Sequence, residues 1–97
     1  MKNKYHKDLE HSTLKFLNAL AGFQGGPVEQ REHLKGVMDQ QLLIIRAAAS
    51  ELKRAGVHKQ DVKMENNYKA YIQDANLSTY AALKHDIETL RLYNELP

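Results

Sequence analysis

Tyr5, Leu9, Thr13, Phe16, Leu20 and Phe23 follow one another at steps of four and three residues, the spacing that puts side chains on one face of an α-helix. Two further stripes of the same period come after it. One is Leu34, Met38, Leu42, Ile45, Ala49 and Leu52, and the other is Tyr68, Ile72, Ala75, Thr79, Leu83, Ile87, Leu90 and Tyr93. Together they predict an all-α chain, an antiparallel bundle of three long helices.

The boundaries follow from the residues between the stripes. Helix one is expected over about 3–21, ended by Gly22-Phe23-Gln24-Gly25-Gly26-Pro27, with Phe23 reaching the core from the loop. Helix two is expected over about 27–55: Gly26 suits the N-cap, Pro27 the first helical position, and Glu29 the positive end of the dipole. At its other end Lys53 and Arg54 complement the dipole. Gly56 suits a left-handed C′ position, and Val57 is placed to touch Leu52 as in a Schellman motif. After the link Val57-His58-Lys59-Gln60, Asp61 can open helix three, expected over about 61–95.

The third stripe keeps its phase across Asn76, which favours one continuous helix. A break at Asn76-Leu77-Ser78, giving four helices, would use Ser78 as N-cap, but no Glu or Gln lies three residues later to complete a capping box. Unbroken, helix three would be about 50 Å long against about 30 Å for helix one. Its overhanging apolar face would then need a second copy, a partner, or a bend near Asn76. A homodimer or an obligate partner is therefore expected.

Ninety-seven residues without an internal repeat or linker make one domain, 1–97. With 42% hydrophobic and 27% charged residues the chain is rich enough in apolar side chains to fold rather than stay disordered. There is no Cys, which removes disulfides, thiolate nucleophiles and Cys-based zinc sites. A net charge of +2 is too small to make nucleic-acid binding the first expectation. Leu42 to Ile45 is the longest purely apolar run, far short of the ~20 residues that span a bilayer. Asp8 and Glu10 stand where a signal peptide would carry its apolar stretch, so a cytoplasmic location without membrane association is expected.

Catalytic and metal-binding patterns are thin. Ser12, Ser50 and Ser78 lie in helical patterns without a Gly-x-Ser-x-Gly elbow, and Gly26 is followed by Pro27, which has no N–H for a phosphate. The close metal-type pairs are His6 with Glu10, Asp8 with His11, Glu29 with His33, and His85 with Glu88; no Glu-x-x-His or His-x-x-x-His occurs. No catalytic, cofactor or metal residue is assigned.

The string His33-Leu34-Lys35-Gly36 resembles the phosphorylated segment of histidine phosphotransfer domains, which are helical bundles. The resemblance covers four residues and implies a phosphotransfer module on His33. The family has Lys three and Gly four residues after the His, whereas here they fall at two and three, which turns Lys35 about 200° around the helix from His33.

Aromatic residues concentrate in the last third, at Tyr68, Tyr71, Tyr80 and Tyr93, against Tyr5 elsewhere. Tyr favours interfaces because it buries a ring and keeps a hydroxyl for a partner. Tyr71 and Tyr80 lie off the centre of the stripe and are expected to be partly exposed. The leading reading is a non-enzymatic helical protein-interaction module, an adaptor, regulator or inhibitor, with its interface at Tyr68, Tyr71, Ile72, Tyr80, Leu83, Ile87, Leu90 and Tyr93. The alternative is a small nucleic-acid-associated regulator using a basic patch of Lys53, Arg54, Lys59 and Lys63 near the second turn, which Glu51, Asp61 and Glu65 dilute.

Overall fold

A computed structural model describes residues 4–56 and 64–95. The fold is all-helical: α1 (Lys4–Gly25), α2 (Arg31–Arg54), α3 (Met64–Gln73) and α4 (Leu77–Glu95), with one turn of 3-10 helix, Val28–Gln30, ahead of α2. There is no strand among the described residues.

α1 runs four residues past its expected end. Gly22 and Gly25 stay helical, and the Gly26 N–H donates to the Gly22 carbonyl at 2.7 Å. Glycine lowers helix propensity, but here it permits close packing, since a Cβ on Gly22 would lie 2.9 Å from Leu34 Cδ1. Pro27 is extended, with φ −60 and ψ 140, so it precedes the 3-10 turn instead of opening α2. The expected helical start at Pro27 is thereby corrected to Arg31. At the far end of α2 Gly56 has φ 78, and its N–H donates to the Lys53 carbonyl at 3.0 Å, which is one of the two Schellman bonds. Val57, the rest of the link and Asp61 lie outside the described residues.

The single helix expected over 61–95 is two. α3 stops at Gln73, and Asn76 caps α4: its Oδ1 accepts the Thr79 N–H at 3.0 Å while Thr79 Oγ1 accepts the Asn76 N–H at 3.1 Å. This is a capping box with Asn at the cap and Thr in the place usually held by Glu or Gln. The Thr79 hydroxyl also donates to the Asp74 carbonyl at 2.7 Å, tying the turn to the new helix. The break yields helices of 10 and 19 residues, about 15 and 28 Å long, in place of a 50 Å rod. α4 then comes close to the roughly 33 Å of α1, and the overhang that called for a second copy is gone.

α1 and α2, joined by residues 26–30 and packed along each other, run antiparallel. α4 packs on α1 with its C-terminal end at the start of that helix, where Asn94 Nδ2 donates to the His6 carbonyl at 2.9 Å. α3 packs on α4, where Asn67 Nδ2 donates to Asp86 Oδ2, and reaches α1 and α2 through side chains. Tyr68 meets Phe16 edge-on, and Glu65 pairs with Arg46. One apolar core results, from Leu9, Phe16 and Leu20 of α1, Met38, Ile45 and Leu52 of α2, Met64 and Tyr71 of α3, and Leu83, Ile87 and Leu90 of α4.

Two outcomes check this account of the turns. A Cβ on Gly26 would sit 2.5 Å from the Gly22 carbonyl oxygen, a backbone atom, whereas the atom facing Gly22 is a mobile leucine methyl. Gly26→Ala should therefore destabilise by about 1–3 kcal/mol in urea unfolding, and Gly22→Ala, aided by helix propensity, by less than about 1 kcal/mol. Asn76→Ala should cost about 1 kcal/mol, and the same substitution in a Thr79→Ala background distinctly less, because the two residues share one cap.

Candidate interaction surfaces

The tyrosines are placed by α3 and α4, and most of them point inward. Tyr71, expected to be partly exposed, is 0% exposed. It sits between Phe23, at 5.5 Å between ring centroids, and Tyr80, at 6.2 Å, and its hydroxyl donates to Gln24 Oε1 at 2.9 Å. The break explains the correction, because α3 rotates independently of α4 and turns Met64, Tyr68 and Tyr71 to the core together. Tyr68 is also buried, and its hydroxyl donates to Asp39, a carboxylate that holds Lys35 Nζ at 3.1 Å on its other oxygen. Leu83, Ile87 and Leu90 are core residues, and Ile72 and Tyr80 pack partly buried against the core. Lys84 Nζ stands 5.8 Å from the Tyr80 ring centroid. Of the eight residues expected at an interface, Tyr93 alone is exposed, at 44%, next to Leu92 at 60%.

A different apolar face stands open on α2. Its buried side is Met38, Gln41, Ile45, Ala48 and Leu52, yet Leu43 is 62% exposed, and Ile44 and Ala47 are exposed beside it. At 100° per residue these three cover an arc of about 100° on the side away from the core. Gly22 against Leu34 sets the register of the antiparallel pair, and eight residues on from each puts exposed Leu14 level with Leu42. The sequence carried a signal for this second face: in Leu42-Leu43-Ile44-Ile45, four consecutive apolar residues wrap the helix, and one stripe takes only two of them.

Of the basic patch, the described residues are Lys53 and Arg54. Arg54 pairs with Glu51, and Lys59 and Lys63 lie outside the described residues, as does His58. His33 is exposed on the first turns of α2, while Lys35, half-exposed, pairs with Asp39. Among the described residues no three His, Asp or Glu side chains come together as a metal site. No helix among them is long and apolar enough to cross a membrane. Where α1 begins and α4 ends, Glu10, Arg91, Asn94 and Glu95 line a cleft of about 40 Å³, room for a few waters.

Two phenols are held neutral by their surroundings. Burial, and then the hydrogen bond to Asp39, pushes Tyr68 well above the usual tyrosine range. Burial, and then the neighbouring Tyr80, pushes Tyr71 up to about 12, with Arg31 pulling weakly the other way. In the unfolded chain both titrate near pH 10. The stability tied to these shifts is complete below about pH 10 and is lost as the pH rises toward about 12, because the unfolded state releases its protons first. Urea midpoints should fall across that window. Tyr68→Phe with Tyr71→Phe should flatten the fall, while a wild-type midpoint unchanged to pH 12 would refute the placement of both hydroxyls. Tyr71→Ala should cost about 3–5 kcal/mol, a core effect rather than an interface one.

Comparison of the chain with protein-family models, with curated proteins and with solved structures gave no match.

Proposed function

We propose that this chain is an antiparallel helical bundle without catalytic activity that binds a partner protein, as an adaptor, regulator or inhibitor, through the outward face of α2. The observation that carries the reading is Leu43, 62% exposed, with Ile44 and Ala47 beside it on a helix whose other face already fills the core. A helix apolar on two sides has a second surface to cover, and an amphipathic helix or an apolar groove of a partner is the usual cover. Leu92 and Tyr93 on α4 supply a second, smaller apolar spot.

Self-association is the competing occupant of the same face. The break at Asn76 removes the overhang of a single long third helix, but Leu43 and Ile44 would serve an isologous contact equally well. Nucleic-acid association through the second turn has less support, with Arg54 engaged by Glu51. A phosphotransfer role for His33 would need a cation beside the imidazole; of the two nearest in sequence, Lys35 is paired with Asp39 and Arg31 stands over the Phe23 ring.

The test is a quantitative pull-down from the native host with wild-type protein and with the double variant Leu43→Gln, Ile44→Gln, alongside light scattering of both. Exposed positions should leave stability within about 0.5 kcal/mol. The proposal expects a specific partner whose recovery drops at least about tenfold in the variant, with both proteins monomeric. Equal recovery would contradict it, and a dimer that the variant abolishes would give the face to a second copy.

A further inference from the structure

The solvent face of α1 carries a strip of basic side chains. Lys4, Lys7, His11, Leu14, Lys15 and Asn18 are all exposed there, and at 100° per residue they fall within an arc of about 100° opposite Leu9, Phe16 and Leu20. Lys35, Arg46, Arg54 and Lys84 each have a carboxylate partner. Among the described residues, no carboxylate lies within ion-pair distance of Lys4, Lys7 or Lys15, as is also the case for Arg31, Lys69 and Arg91. Asp8, one turn on from Lys4, and Glu10, one turn on from Lys7, flank the strip and offset part of its charge, leaving three lysines against two carboxylates.

The geometry points to a docking strip for an acidic helical segment of a protein partner, on a surface distinct from the apolar face of α2. Lys7, His11 and Lys15 rise along α1 in steps of four residues, about 6 Å each, and Lys4 extends the strip to about 16 Å. Glu or Asp at every fourth position of a second helix repeats at the same 6 Å, so carboxylates can meet Lys7 and Lys15, with the His11 imidazole between them as a hydrogen-bonding group. Leu14, 46% exposed, lies within the strip and offers an apolar contact that such a helix can match with a leucine.

The same observations disfavour the other polyanions. A nucleic-acid duplex needs many neutralised phosphates for useful affinity, and three lysines flanked by Asp8 and Glu10 supply few. A membrane-surface helix needs an apolar face to insert, and that face of α1 is buried in the core.

The test uses a fluorescein-labelled synthetic helix with Glu at every fourth position and Leu beside it. Its binding to the full chain is followed by anisotropy at about 50 mM salt, where surface charges are weakly screened. Comparison probes are the Gln counterpart of the peptide, a DNA duplex and phosphatidylserine vesicles. The Glu peptide should bind in the micromolar range, and Lys7→Glu with Lys15→Glu should weaken it at least about tenfold. Leu43→Gln with Ile44→Gln should leave it unchanged. The inference is overturned by no binding of the Glu peptide, by equal binding of the Gln peptide, by equal binding to the charge-reversed variant, or by tighter binding of duplex or vesicles. Loss of binding in the α2 variant would also overturn it, by assigning the peptide to the other face. Because both substitutions are on exposed lysines, an unchanged thermal melt separates lost docking from lost fold.

Discussion

Asn76 takes the amide of Thr79 on its side chain, and Thr79 takes the amide of Asn76 on its own. The direction of the 19 residues of α4 depends on that exchange. A helix interior leaves no such side-chain acceptors in place, whereas a cap satisfies donors that the first turn of a new helix would otherwise leave open. With the cap formed, α4 lies along α1 and closes the chain onto its own beginning through Asn94 and the His6 carbonyl, 88 residues apart in sequence. Without it the same apolar residues would run out along a rod that nothing in the chain is long enough to cover.

The break also decides what the tyrosines do. α3 has only ten residues and is held to α1 and α2 by side chains: Tyr68 against Phe16 and Asp39, Tyr71 against Phe23 and Gln24, Glu65 against Arg46. A short helix has little apolar area of its own, and two buried aromatic rings with bonded hydroxyls supply most of what anchors it. Residues rich in interface character by composition thus serve as struts within one chain. Apolar side chains left outside the core include Leu43 and Ile44 on α2 and Leu77 and Leu92 on α4, and exposed lysines without an ion pair lie along α1.

The three helical stripes were legible because core positions obey the 3.6-residue period. Leu9, Thr13, Phe16, Leu20, Met38, Ile45, Leu52, Leu83, Ile87 and Leu90 are buried as the pattern requires. The break was not legible from period alone. Two helices folded against one core can each present an apolar face whose phases happen to agree, so continuity of the stripe across Asn76 did not distinguish one helix from two. The local signal is Asn76-x-x-Thr79, a cap with a hydroxyl as its reciprocal acceptor, two residues before Ser78, which is an equally favourable cap residue by type. Phase failed beside the break, where Tyr71 is buried and Ala75 exposed, and at the end of the stripe, where Tyr93 is exposed and Asn94 buried. The second face of α2 and the unpaired lysines of α1 depend on which side of each helix is covered, and that is a tertiary fact.

The central claim is that residues 64–95 fold back on themselves at Asn76. The chain has no native Cys, so spin labels placed at exposed Asn66 and Glu88 as the double variant Asn66→Cys, Glu88→Cys report one distance without competing sites. A continuous helix separates these positions by 22 residues, about 33 Å. Packing of α3 on α4, with Asn67 bonded to Asp86, brings them to the spacing of neighbouring helices. The account predicts a dipolar distance below about 20 Å, allowing for the label arms. A single population near 33 Å would contradict it.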